Sequence, residues 1–125
     1  MRQLSKDISE KEFALWHQKN VLTTEYPEFA FYFIETKETQ RGFPDLLAIS
    51  KVSGVSKLFE YKVSDKDGVI SFQKTQPPFY KRNPFLDITV VAYDVRFGEV
   101  IRFKVDSLFD EESEDRLRDN LRVRL

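Results

Sequence analysis

Two short runs of strand-forming residues, FPDLLAIS at 43–50 and SKLFEYKV at 56–63, flank a link that carries Gly54. Neighbouring runs joined by so short a glycine-containing link predict an antiparallel hairpin. Alternate residues of a strand face opposite sides of its sheet, so Leu58, Glu60 and Lys62 share one face while Phe59, Tyr61 and Val63 share the other. Asp45 is the residue that does not fit. It opens the apolar run from Leu46 to Ile49, where a carboxylate is costly unless its charge is compensated. If the hairpin brings Asp45 alongside Glu60, two carboxylates and the Lys62 ammonium converge at one spot.

That constellation suits a divalent cation. Two carboxylates offset much of the charge of Mg²⁺ or Mn²⁺, and water or a substrate phosphate fills the remaining positions. A nearby lysine positions or activates a water, or stabilises negative charge developing on a phosphate. The rest of the composition narrows the choice of metal. The chain has no cysteine and one histidine, His17, which excludes thiolate and multi-histidine zinc sites and leaves hard cations on oxygen ligands.

The 125 residues suit a single domain, spanning 1–125. The opening MRQLSKDISEKEF lacks an apolar signal-peptide stretch and no run approaches membrane-spanning length, so the expectation is a cytoplasmic protein away from membranes. Its 20 basic and 21 acidic residues nearly cancel, which alone argues against a nucleic-acid partner. The charges are segregated, however. Between 51 and 82 stand Lys51, Lys57, Lys62, Lys66, Lys74, Lys81 and Arg82 against Glu60, Asp65 and Asp67, while the DEESED segment at 110–115 is acidic. A basic middle with an acidic end accommodates a nucleic-acid face.

Along the chain, Ser9 and Glu12 form an S-x-x-E capping box for a helix whose stripe runs through Phe13, Ala14, Trp16 and His17 to about Leu22. Residues 28–36 read as an aromatic strand, followed by the hairpin. Pro77 and Pro78 place the start of a second helix near themselves. Two more strands, 87–95 and 99–105, surround Gly98, and a charged helix is expected from about 106 to the end. The predicted class is α/β, with a mixed central sheet of about five strands flanked by helices.

The spacing P-D, fourteen residues, E-Y-K closely resembles the PD-(D/E)xK nuclease superfamily, whose restriction-endonuclease-like core presents this motif on adjacent strands. Asp45 matches its first acid, Glu60 the second and Lys62 the lysine. The RGFPDLLAI and FEYKVS stretches look most like Holliday junction resolvases of the archaeal and RecU type and like VRR-Nuc nucleases. The resemblance covers residues 9–95. It implies that the Tyr61 backbone carbonyl and a glutamate of the first helix also serve the metal. Glu10 and Glu12 compete for that place, and Glu10 is preferred because Glu12 already serves the cap. It further implies a glutamine on the helix after the lysine strand, for which Gln73 is preferred over Gln76. The implied activity is Mg²⁺-dependent hydrolysis of DNA phosphodiesters, with Mn²⁺ able to substitute and no small-molecule cofactor. Branched DNA and a homodimer are the expected partners, the dimer because a resolvase must cut two strands symmetrically. Nicked, flapped or plain duplex DNA is the alternative substrate, and a non-catalytic DNA-binding or assembly protein is the alternative of another class.

Plainer readings stand beside each of these. Asp45 alone reads equally well as a turn aspartate bound to backbone amides. Glu60 and Lys62 alone read as an exposed ion pair of little energetic worth. His17 reads as a helix residue meeting the core, and the aromatic strand as core or subunit interface. Arg41, Lys66, Lys74, Lys81 and Arg82 are the expected phosphate contacts.

Overall fold

The computed structural model describes residues 4–34, 42–109 and 115–125, and the backbone but not the side chain of Asp115. The capping box forms as expected: Ser9 Oγ accepts from the Glu12 N–H, and the Glu12 carboxylate accepts from the Ser9 N–H. Helix α1 runs Glu10–His17, then continues through a π turn, Gln18–Leu22, into the single turn α2, Thr23–Glu25.

Strands β1 (Phe29–Phe33), β2 (Leu46–Ser50), β3 (Ser56–Val63), β5 (Ile88–Asp94) and β6 (Glu99–Lys104) build one mixed sheet in the order β1-β2-β3-β5-β6. β1 and β3 each run antiparallel to β2 between them, β5 joins β3 in parallel, and β6 returns antiparallel. This is the α/β class with a mixed five-stranded sheet that the sequence predicts. The parallel crossover from β3 to β5 contains β4 (Val69–Ser71) and α3 (Gln76–Arg82), long enough for a parallel connection.

Each face of the sheet buries its own core. On one side α1 packs Phe13 and Ala14 against Leu46, Ala48, Phe59, Tyr61, Val91 and Tyr93. On the other, Leu58, Ile88, Val90 and Ala92 meet Tyr80 of α3 and a second, smaller sheet.

That second sheet corrects the reading of the C-terminus. The charged helix expected from about 106 is instead a 3₁₀ turn, Val105–Phe109, and a hairpin of β7 (Asp115–Arg118) and β8 (Leu121–Arg124). β8 lies parallel to β4, giving the order β4-β8-β7. Leu121 and Val123 are buried while Arg122 and Arg124 are exposed, the period of two of a half-buried strand. The acidic residues 110–114 and Arg41 lie outside the described residues. Among the described residues no helix is long and apolar enough to cross a membrane.

Candidate metal and phosphodiester site

The register of the β2–β3 hairpin pairs Leu46 with Phe59, so Asp45, one step earlier, stands opposite Glu60. Leu46 and Phe59 face α1. Glu60 therefore faces the other way, toward α3, while Asp45, just before β2, lies at the sheet edge beside it. Their carboxyl groups are close enough for the Asp45 charge to act on Glu60. Backbone bonds hold Asp45 in place from both neighbours: its N–H donates to the Phe59 carbonyl at 3.1 Å, and its carbonyl accepts from the Ile34 N–H at 2.8 Å.

β2 begins at Leu46, leaving the last residues of β3 without a partner strand on that side. Side chains take its place. Asp45 Oδ2 accepts from the Tyr61 N–H at 2.8 Å, and Glu10 Oε2 accepts from the Val63 N–H at 3.4 Å. The plain reading of Asp45 as an acceptor for backbone amides is thus part of its role. The same bonds draw Asp45 and Glu10, the second from α1, to one edge of β3. Tyr61 turns its backbone toward this edge, the side on which the resemblance implies a carbonyl ligand. Glu12 stays in the cap.

Glu60 and Lys62 are both buried. Lys62 Nζ donates to Gln76 Oε1 at 3.0 Å, lies 3.8 Å from Glu60 Oε2, and sits 4.7 Å from the centre of the Phe72 ring. The surface ion pair expected on the plain reading is excluded by this burial. The glutamine preference also needs correction. Gln76, buried as the first residue of α3, reaches Lys62, whereas Gln73 is exposed and supplies only its backbone N–H, 2.7 Å from the same Gln76 oxygen. The two prolines start the helix at 76, which turns Gln76 and not Gln73 inward. Gly42 seats the strand entry on that helix: with φ +89°, it lies where a Cβ would stand 2.5 Å from the Thr75 carbonyl oxygen.

The electrostatics of this group are unbalanced. Burial raises the Glu60 pKa well above the ordinary carboxylate range, the Asp45 carboxyl raises it further, and Lys62 and Gln76 pull it back in part. Loss of water also raises Glu10, against the pull of Lys62 and the Val63 N–H. Glu60 Oε1 and the Tyr80 hydroxyl are buried without any hydrogen-bond partner. A buried acceptor left unpaired costs about 1–3 kcal/mol, more when charged, so an unpaired carboxylate oxygen here wants a cation. Among the described residues no three His, Asp or Glu side chains are gathered into a ready-made metal cage. Mg²⁺ does not need one, since it is commonly held by one or two carboxylates with waters and substrate phosphate completing the shell. The donor set of Asp45 and Glu60, with Glu10 at the rim, fits that kind of ion.

A cleft of about 520 Å³ opens beside these acids, between α1 and the end of β1; Glu10 and Asp45 form part of its lining. Four of the residues predicted to touch phosphate are among the described residues. Lys66, Lys74, Lys81 and Arg82 are all exposed, the last two at the end of α3, and Lys81 lies over the Phe109 ring at 5.3 Å.

His17 belongs to a different network. It is buried, with Nδ1 2.9 Å from the Tyr61 hydroxyl and Nε2 3.2 Å from an Arg102 nitrogen. A guanidinium only donates, so Nε2 accepts and Nδ1 carries the proton toward Tyr61. Burial and then the Arg102 charge lower its pKa to about 4, against a weaker opposing pull from Glu25. Neither this network nor the glutamine register announced itself in the sequence, because both depend on how α1 and α3 settle on the sheet.

Comparison with protein-family models, with curated protein sequences and with solved structures returns no match for this chain.

Proposed function

We propose that this protein is a divalent-metal-dependent DNA endonuclease of the PD-(D/E)xK kind, acting on branched DNA. The observation that carries the reading is the meeting of Asp45 and Glu60 on adjacent strands beside a buried Lys62, with one Glu60 oxygen lacking a partner. A structural ion pair would close its hydrogen bonds; this one leaves an acceptor open. The helix, three antiparallel strands, helix and parallel strand that frame it agree with the core the resemblance implies.

Asp45, Glu60 and Glu10 would hold Mg²⁺ or Mn²⁺, together with the Tyr61 carbonyl. Bound there, the ion would polarise the phosphodiester and lower the pKa of a bound water. The chain's own groups prepare the rest. Lys62 is fixed by Gln76 and by the Phe72 ring, so its ammonium is aimed before substrate arrives and can orient a water or meet charge on the phosphate. The backbone bonds to Asp45 fix that carboxylate from two strands, the kind of positioning that saves reorganisation during reaction. Arg41, Lys66, Lys74, Lys81 and Arg82 are assigned to phosphate contacts along the DNA, and a two-fold dimer would present two such sites to a junction.

The test is cleavage of a panel of four-way junctions, flaps and linear duplex with Mg²⁺ or Mn²⁺. The wild type is expected to cut at least one of them, and the branched DNAs more rapidly than the linear duplex. Asp45→Asn and Glu60→Gln should abolish cutting while remaining folded, and Lys62→Met should slow it about 10²–10⁴-fold. Undiminished cleavage by Asp45→Asn, or no cleavage of any substrate by the wild type, would sink the proposal.

A further inference from the structure

The cleft beside the acids has two unlike walls. Glu10 and Asp45 mark its polar end, with Lys11 nearby on α1; Leu15 of α1 and Phe33 and Ile34 at the end of β1 make its apolar part. Phe33 is 43% exposed and Leu15 46% exposed, although both are large and apolar. The aromatic strand expected to be core or interface thus ends in a ring left open to a cavity. At about 520 Å³ the cleft falls within the roughly 300–1,000 Å³ typical of small-molecule sites. A base pair stacked in a duplex cannot enter a space of this kind, whereas a nucleotide taken out of its stack can.

We propose that the cleft receives a single unpaired nucleotide of the substrate strand, its base against Phe33 and Leu15 and its phosphate toward Lys11 and the acid cluster. This rests on the endonuclease reading and sharpens it: the preferred substrate carries an unpaired nucleotide next to the bond that is cut. The chemistry of the walls selects that occupant over an apolar peptide. An apolar segment would cover the charges of Glu10, Asp45 and Lys11 without answering any of them, while a nucleotide has a π-face for the ring and an anionic phosphate for the lysine and a cation. Stacking of a base on an aromatic side chain contributes about 1–3 kcal/mol and tolerates any base, so the preference is for structure and not for sequence.

The experiment uses the full chain and two DNAs containing 2-aminopurine, one with it in a single-stranded flap next to a duplex and one with it inside continuous duplex. Fluorescence is read with Ca²⁺ in place of Mg²⁺, and cleavage of the same DNAs is read with Mg²⁺. Quenching of the flap probe at least about twofold, with no change for the duplex probe, is expected. Phe33→Ala should remove the quench and slow flap cleavage at least about tenfold, and Phe33→Trp should restore both. Tyr32→Ala, which alters the neighbouring exposed ring outside the cleft lining, should leave both as in the wild type. Cleavage of flap and duplex alike, with no quench and no effect of Phe33→Ala, overturns the cleft assignment and spares the nuclease reading. A quench that depends on Phe33 without cleavage of any DNA supports the cleft as a nucleotide site and overturns the nuclease reading.

Discussion

Glu60 and Asp94 are carboxylates on neighbouring parallel strands of one sheet, 3% and 0% exposed, and they are satisfied in opposite ways. Both Asp94 oxygens are occupied. Oδ1 accepts from the Arg96 backbone and Nε at 3.0 and 3.1 Å, and Oδ2 accepts from Arg96 Nη2 at 2.9 Å. The same guanidinium reaches the Asn120 carbonyl at 2.6 Å, joining the β5–β6 turn to the terminal hairpin. Gly68 makes room for it: with φ +77°, a Cβ there would lie 2.1 Å from the Arg96 guanidinium carbon. Glu60 has no such fork. Its cation, Lys62, stands 3.8 Å away and gives its hydrogen bond to Gln76, and Oε1 has no partner. One carboxylate is closed and ties the fold together; the other is held open next to a second acid. Burial alone does not separate these two charges, but the state of their lone pairs does.

The comparison can be broken most forcefully at Arg96. Arg96→Ala leaves Asp94 buried with its charge uncompensated and should lower stability in denaturant unfolding more than any other substitution named below. Unfolding like that of the wild type would mean that the closed pair is not structural.

His17 provides a second closed group whose balance can be moved by pH. Its folded pKa, about 4, lies below the ordinary value near 6.5, so the unfolded chain binds the proton more readily. Its contribution to stability is complete above about pH 6.5 and is lost as the pH falls toward 4, by about 2–3 kcal/mol. The difference in unfolding free energy between wild type and His17→Gln, followed across that window, should shrink by this amount. Arg102, Glu25 and Tyr61 face the imidazole and stay in both proteins.

Glu60 predicts the opposite sign. A carboxyl raised by folding stabilises fully below its ordinary value near 4.5 and loses that contribution as the pH rises through its folded value. Without divalent metal, the stability of Glu60→Gln relative to the wild type should therefore rise between pH 4.5 and pH 7.5. Mn²⁺ should stabilise the wild type, by about 2.7 kcal/mol at a hundred times its Kd, and should not stabilise the variant. Thermal unfolding across that pH interval, with and without Mn²⁺, reads both effects, and a relative stability of Glu60→Gln that does not rise would place Glu60 in the same class as Asp94.

The smallest effect belongs to Asp87, a half-exposed carboxylate shared by Lys57 and Lys104. Although partial burial works against it, the two lysines hold its pKa below the ordinary range. Asp87→Asn should cost less than about 1 kcal/mol, less still in high salt. A larger loss would show that exposure does not weaken ion pairs here as the contrast requires.

Some of this architecture was legible because it is local. The Ser9 cap, the hairpin around Gly54, the helix start at the prolines and the strand pair around Gly98 each depend on residues a few positions apart. The terminal hairpin is local too, but its charged, leucine-containing composition reads as a helix. The usable signal was the alternation of Leu121 and Val123 with arginines, after an Asp119–Asn120 turn in which Asp119 has φ 54°. The choice of Gln76 over Gln73 and the Arg102–His17–Tyr61 chain had no such signal, since each joins residues from elements far apart in sequence.

By itself, then, the sequence determined that an acid would stand at the mouth of one strand and an acid and a lysine on one face of the next, because strand periodicity leaves no other arrangement. Tertiary structure decided what those residues meet. The register placed Asp45 opposite Glu60, and the late start of β2, at Leu46, bared two N–H groups that drew in Asp45 and Glu10. The packing of α3 gave Lys62 to Gln76 and left one Glu60 oxygen open. Those outcomes depend on where whole elements come to rest against one another, and no stretch of neighbouring residues encodes that.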